Sequence, residues 1–190
     1  MGKLFIVSGP SGVGKTTLVH AFVSQKGSLY HISQEITYTS RAPRAGEELN
    51  MAYHFVSKQA FEEKIKEGFF LEWRAFCDNY YGIPTTTVSE VGFGRSYFLI
   101  LDQQGARSMS KLHKESILIW IEPQNIAVLK ERLYKRNSED AQQIARRIEK
   151  AEWDIQEENN HPFYTYHILN DTLDKALQEL ESIVKKELMV

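Results

Sequence analysis

The chain has 190 residues, 42% hydrophobic and 25% charged, which is long enough for one globular domain with a buried core. Its formal net charge of −2 gives no overall positive field for nucleic acid, so any anion site must be local. No apolar run approaches the roughly 18 residues of a membrane span, and the single cysteine excludes an intramolecular disulfide. We therefore expect a soluble, cytoplasmic protein without nucleic-acid or membrane partners.

Apolar runs alternate with helical patterns along the chain, which predicts an α/β fold with a largely parallel sheet. The predicted strands cover residues 4–8, 97–101, 117–121 and 164–169. The predicted helices cover residues 15–25, 104–112, 124–136 and 173–188.

Two segments interrupt this alternation. Segment 32–83 contains the polar loop 40-SRAPRAGEE-48, short alternating strands and a helix near 59–66, which indicates an inserted subdomain. Segment 132–147 is dense in charge and predicts two helices that meet near Asn137 and Ser138, although an exposed helical hairpin would explain those charges equally well. The charged run 149–158 is expected to be a solvated helix face.

The stretch 8-SGPSGVGKTTL-18 follows the first strand and fits the phosphate-binding pattern G-x-x-x-x-G-K-[ST]. Glycines let the backbone N–H groups turn toward phosphate oxygens, and the helix that begins there has a positive N-terminal end. We expect Lys15 to contact the β- and γ-phosphates and the Thr16 hydroxyl to bind Mg²⁺. The loop therefore predicts a nucleoside triphosphate site, formed by Gly9, Pro10, Ser11, Gly12, Val13, Gly14, Lys15, Thr16 and Thr17.

The polar loop of the inserted segment offers a second phosphate site. Arg41 and Arg44 flank Pro43, which restricts the local backbone, and two guanidinium groups suit a second phosphate. Tyr53 and Tyr81 add phenol donors for the same task. Paired arginines are also typical of a solvated surface, so this loop alone does not identify an acceptor.

Further motifs extend over nearly the whole chain: 41-RAPRAGE-47, 53-YHFVS-57, 71-LEW-73, 79-NYYG-82, 102-DQQG-105, 132-RLYKR-136 and 169-LNDTLDKAL-177. With the phosphate-binding loop, they make the sequence similar to the guanylate kinases, which use ATP to phosphorylate GMP to GDP. The resemblance implies a three-layer P-loop NTPase fold with a parallel core sheet. It also implies a core at 1–37, 84–125 and 151–190, a GMP-binding subdomain at 38–83 and a helical lid at 126–150.

The resemblance implies roles for individual side chains as well. Glu72 would accept hydrogen bonds from guanine N1–H and its amine, Asp102 would serve Mg²⁺, and Asn170 would lie by the adenine of ATP. The residues implied in phosphoryl transfer are Lys15, Arg41, Arg132, Arg136 and Arg147. Those implied around GMP are Thr37, Arg41, Arg44, Tyr53, Glu72, Tyr81, Ile83 and Asp102. We expect dGMP as a second acceptor and a monomer or weak homodimer.

Three positions depart from the family pattern. Ile83 stands where a Ser or Thr hydroxyl usually meets guanine O6, Ile100 where a second acid is common, and Tyr38 where a small Ser is common. These departures leave two alternatives open: a guanylate-kinase-like binding module without catalysis, and a kinase for another monophosphate or a phosphosugar. Lys15 and Asp102 favour an enzyme over a binding module, because such modules typically have a degraded phosphate-binding loop.

Overall fold

The computed structural model describes residues 2–43, 53–76, 78–135 and 141–189. The described strands are β1 (Leu4–Ser8), β2 (Ile32–Gln34), β3 (Tyr38–Thr39), β4 (His54–Phe55), β5 (Phe70–Phe76), β6 (Asn79–Pro84), β7 (Ser96–Ile100), β8 (Ile117–Glu122) and β9 (Tyr166–Leu169). The described helices are α1 (Lys15–Tyr30), α2 (Lys58–Lys66), α3 (Thr86–Gly92), α4 (Gln103–Leu112), α5 (Ile126–Lys135), α6 (Ala141–Asn160) and α7 (Leu173–Leu188). Backbone contacts define two compact units. The insert unit is Glu35–Arg95 with the first two residues, and the core unit is Lys3–Gln34 with Ser96–Val190.

The core unit contains a five-stranded parallel sheet in the order β2-β7-β1-β8-β9. Every residue of the central strand β1 is buried. Because successive side chains of a strand point to opposite faces, this burial means that both faces of β1 are covered. The predicted α/β fold with a parallel core sheet is therefore confirmed.

Helices α1 and α7 pack against each other in the main hydrophobic cluster of the core unit. Leu18 and Phe22 of α1 meet the same cluster as Leu180 and Val184 of α7, and all four side chains are fully buried. The cluster extends to α5 and α6, whose buried members include Leu129. These four helices therefore share one hydrophobic core with the sheet.

Two predicted boundaries differ from the structure for identifiable reasons. Helix α1 continues to Tyr30, beyond the predicted end at residue 25, and the Tyr30 hydroxyl donates to Glu181 of α7 at 2.6 Å. Strand β9 begins at Tyr166 and not at Tyr164, whose backbone N–H donates to the Glu158 carboxylate at 3.2 Å. In both places a tertiary contact, not local propensity, sets the boundary.

The insert unit has a four-stranded sheet in the order β4-β3-β6-β5. Helix α2, predicted near 59–66, begins at Lys58 and is capped by Ser57, whose side chain accepts from the Ala60 N–H at 3.1 Å. Its residue Phe61 stacks on Phe70 at 4.3 Å and on Tyr80 at 5.3 Å between ring centroids. The short strands are therefore held by an aromatic core of their own.

The prediction that run 149–158 is a solvated helix face is wrong. Asp154 is 5% exposed and Glu158 is 1% exposed on α6. Their spacing continues the stripe of Ile144 and Ala151, which are buried on the same helix, so both carboxylates face the interior of the core unit. Within the described ranges, no helix has the length and apolar character needed to cross a membrane.

Candidate active site

The phosphate-binding loop, residues 9–14, connects β1 to α1. Gly9, Gly12 and Gly14 have positive φ angles of 149°, 85° and 100°, and Gly14 caps α1 in the left-handed conformation. A Cβ atom at Gly14 would lie 2.6 Å from Asn170 Nδ2, so the close approach itself requires glycine. The Lys15 ammonium donates to Gly9 O at 2.7 Å and to Pro10 O at 3.0 Å, which holds the cation across the loop.

Two distant side chains meet the backbone of this loop at one atom. Asn170 Nδ2 donates to Val13 O at 2.7 Å, and Arg132 Nη1 donates to the same oxygen at 3.3 Å. Asn170 follows β9 and Arg132 lies on α5, so elements far apart in sequence converge on the loop. Ser11 is half-buried, while Thr16 and Thr17 are exposed in the first turn of α1.

Asp102 lies just beyond β7, which pairs with β1. Its carboxylate Oδ1 accepts from Gly105 N at 2.9 Å and caps α4. Because the carboxyl ends of neighbouring parallel strands share one edge of the sheet, Asp102 and the phosphate-binding loop occupy the same edge. The residues that the sequence predicts at the ATP site therefore converge within the core unit.

The insert unit contains an arginine cluster, formed by Arg41, Tyr53, Phe55 and Tyr81. The guanidinium carbon of Arg41 lies 5.6 Å from the Tyr53 ring centroid and 5.5 Å from that of Phe55. Tyr53 packs edge-to-face on Tyr81 at 5.9 Å. Three residues predicted to hold the acceptor phosphate are thus neighbours.

Two more residues predicted to bind the acceptor are neighbours on one face of the insert sheet. Glu72 of β5 pairs directly with Ile83 of β6, so their side chains share one face of the sheet. Ile83 is only 1% exposed, whereas Glu72 is partly exposed. Thr37, which is 8% exposed, lies just before β3, and its carbonyl accepts from the His54 N–H at 2.9 Å. The predicted residues Arg44 and Arg136 lie outside the described ranges.

Comparison with known proteins gives a consistent result. The family model described as "Guanylate kinase" matches residues 1–187. The chain is 40% identical over 188 residues to a guanylate kinase of Nitrosospira multiformis, covering 98% of this chain and 86% of that one. The chain belongs to the guanylate kinase family. It is also 35% identical over 187 residues to a guanylate kinase of Latilactobacillus sakei, covering 98% of this chain and 90% of that one.

A solved structure agrees with this membership of the guanylate kinase family. The crystal structure of guanylate kinase from Anaplasma phagocytophilum matches with a TM-score of 0.78 at 25% identity. The match covers 100% of this chain and 87% of that one. The fold and the sequence therefore identify the same family.

Sequence reasoning missed Asp154, a buried carboxylate on α6 of the core unit. Asp154 interacts electrostatically with both Asp102 and Lys15, and Lys150 contacts its Oδ1. Its backbone carbonyl accepts from the buried Gln103 amide at 3.4 Å. Burial raises the pKa of Asp154, and the Lys150 ammonium opposes that rise. The helical spacing from Ala151 to Asp154 was the signal that could have revealed it.

The buried polar side chains of the core unit include Ser8 at the end of β1, Glu158 on α6 and Tyr164 before β9. Burial raises the pKa of the Tyr164 hydroxyl. The Glu158 carboxylate accepts from the Phe163 N–H at 3.0 Å and lies 3.3 Å from His167 Nε2. These contacts hold the chain between α6 and β9 and thereby the position of Asn170.

The residues predicted at the ATP site include ligands that suit Mg²⁺. Thr16 supplies a hydroxyl and Asp102 a carboxylate, which are hard oxygen ligands. In the part of the chain that the structure describes, no group of three or more His, Cys, Asp and Glu residues is arranged around a metal position. Mg²⁺ in nucleotide enzymes commonly takes one or two protein oxygens together with substrate phosphates, so a sparse set is compatible with it.

Proposed function

We propose that this chain transfers the γ-phosphoryl group of ATP to GMP, giving ADP and GDP, and that dGMP is a second acceptor. The observation that carries the proposal is an intact phosphate-binding loop, with Lys15 held across it, in a chain that matches the guanylate kinase family over residues 1–187. The reaction class is nucleotide phosphotransfer.

The core unit binds the donor in this proposal. Lys15 exchanges its bonds to Gly9 O and Pro10 O for bonds to the β- and γ-phosphates. The backbone N–H groups of the loop and the positive end of α1 stabilise the remaining phosphate charge. Arg132, Arg136 and Arg147 approach from the lid at 126–150 and neutralise charge that develops during transfer.

The insert unit binds the acceptor. Arg41, Arg44, Tyr53, Tyr81 and Thr37 hold the GMP phosphate, with Arg41 oriented by the aromatic rings beside it. Glu72 accepts from guanine N1–H and the exocyclic amine, two donors that adenine does not present on that edge. In this proposal the GMP-binding subdomain spans 38–83, and the core spans 1–37, 84–125 and 151–190.

The transfer needs no covalent enzyme intermediate. An oxygen of the GMP phosphate forms a bond to the γ-phosphorus while the bond to the β-phosphate oxygen breaks, and ADP leaves. Thr16 and Asp102 would hold Mg²⁺, which neutralises charge on the β- and γ-phosphates when bound. The same proposal includes action in the cytoplasm as a monomer or weak homodimer.

The test is ADP production from ATP and Mg²⁺ with GMP, dGMP, IMP, AMP, CMP and UMP as acceptors. IMP keeps the guanine O6 and N1–H but lacks the amine, so it tests the hydrogen bond between that amine and Glu72. We expect rapid turnover of GMP and dGMP with poor use of IMP and AMP. Absence of turnover with every acceptor, in protein that is folded by circular dichroism, would contradict the proposal.

A further inference from the structure

Asn170 is fixed beside the phosphate-binding loop by its own backbone. Its N–H donates to Glu122 O, at the last residue of β8, at 2.9 Å, which continues the pairing of the two strands one residue beyond the end of β9. The residue is 7% exposed. From this position its side-chain amide donates to Val13 O at 2.7 Å and lies against Gly14.

The oxygen that Asn170 contacts belongs to the peptide plane shared by Val13 and Gly14. In a planar trans peptide the C=O and the N–H point in opposite directions, so holding Val13 O also aims the Gly14 N–H. A peptide that precedes glycine rotates easily, because glycine accepts either sign of φ. Gly14 has a φ of 100° and has no side chain that could restrict this peptide.

We propose that Asn170 is a positioning residue for the phosphate-binding loop: it holds the Val13–Gly14 peptide so that the Gly14 N–H faces the donor phosphates. The inference rests on the proposed function and deepens it. It assigns Asn170 a role through the loop backbone, separate from the adenine contact that the family resemblance implies.

Arg132 also donates to Val13 O, but its proposed role differs from that of Asn170. Its guanidinium reaches Val13 O at 3.3 Å, a longer contact than that of Asn170, and it extends from α5 on a flexible side chain. In the proposed reaction Arg132 moves to the phosphates, whereas Asn170 stays anchored through its bond to Glu122 O. Asn170 therefore keeps the peptide oriented while the arginine is engaged elsewhere.

The experiment measures binding of ATP and of inorganic tripolyphosphate, each with Mg²⁺, by titration calorimetry. Tripolyphosphate contains the phosphates but no adenine, so a loop clamp and an adenine contact give different results. The variants are Asn170→Ala, which removes the donor, and Asn170→Asp, which keeps the side-chain volume but cannot donate when ionised. Asn159→Ala and Asn159→Asp, at an exposed position of α6, are the matched controls.

We expect Asn170→Ala to weaken both ligands by about 5- to 10-fold, the size of one lost hydrogen bond. Asn170→Asp should weaken both further because its charge repels phosphate, and the Asn159 variants should leave both affinities unchanged. A loss confined to ATP, or no loss for either ligand, would overturn the inference. If one variant does not fold, the other decides between these outcomes.

The proposed function has its own readout in the same preparation. GDP formation by the wild type tests the phosphotransfer, while tripolyphosphate affinity tests the clamp. Wild-type protein that binds tripolyphosphate in an Asn170-dependent way but forms no GDP would retain the clamp and contradict the proposed function. GDP formation with unchanged affinity in the variants would do the reverse.

Discussion

The phosphate-binding loop and the arginine cluster are both proposed to bind phosphate, but different parts of the chain form them. The loop presents backbone N–H groups, and its conformation is set by glycines and by bonds from Lys15 and Asn170 to its carbonyls. The cluster presents side chains from β4, β6 and the residues just after β3 and before β4. A backbone site follows from a short local motif, whereas a side-chain site depends on how short strands pair.

The largest expected effect on turnover is at Lys15, in the phosphate-binding loop. Lys15→Met removes the ammonium that neutralises phosphate charge, so we expect kcat to fall by about 10²–10³-fold. The fold should persist, because Lys15 is partly exposed and donates to two carbonyls of its own loop. Lys114→Met, at an exposed position, is the control for steady-state kinetics. Near-normal turnover of Lys15→Met would refute the donor-site assignment.

The next effect tests the arginine cluster. Arg41→Lys keeps the positive charge but loses the planar fork that lies against Tyr53 and Phe55. We expect the KM for GMP to rise about 10- to 100-fold, with the KM for ATP unchanged. Arg95→Lys, on an exposed ion pair of the same unit, is the matched control. Equal changes in both KM values would show that the two phosphate sites are not separate.

A smaller effect is expected at Ile83, which shares a sheet face with Glu72. Ile83→Thr introduces the missing hydroxyl, and we expect kcat/KM for GMP to rise about 2- to 10-fold. The same change buries a polar group, so the free energy of unfolding should fall by about 1–2 kcal/mol. Valine is similar in shape to threonine but has no hydroxyl, so Ile83→Val should show no gain in kcat/KM. A gain with valine would assign the effect to packing.

The smallest effect is the pH dependence of stability at Asp154. Burial raises the pKa of this carboxyl in the folded state, so the folded protein binds more protons than the unfolded chain. The stability of the wild type relative to Asp154→Asn should therefore rise as pH falls from 7 toward the ordinary Asp pKa of 3.8, by a few degrees or less in Tm. Glu149→Gln, exposed on the same helix, should show no such trend. A constant difference in Tm across this range would contradict the assigned direction.

Local patterns were sufficient for the core of the fold. The run at Leu4–Ser8 and the glycine loop after it predicted β1, the loop and α1 without tertiary information. Helix α7 also begins and ends as predicted, because Thr172 caps it and its apolar residues recur at helical spacing. The signals that predict these elements lie in residues that are near in sequence, although β1 pairs with the distant strands β7 and β8.

The rest depends on residues that are distant in sequence. Asp154 and Glu158 look solvated in a charged run, and only packing of α6 shows that they are buried. The bond from Asn170 to Val13 O spans 157 residues and has no local signature. Ile83 illustrates the same limit, since its departure from the family pattern is visible in sequence but its burial is not.

The most direct test of the central claim follows the γ-phosphorus of ATP. ATP labelled in the γ-phosphate is incubated with the protein, Mg²⁺ and GMP, and the products are separated after a short reaction. We predict that the label appears in the β-phosphate of GDP, in amounts equal to the ADP formed. Label released as inorganic phosphate, or label that stays in ATP while the protein remains folded, would contradict transfer to GMP.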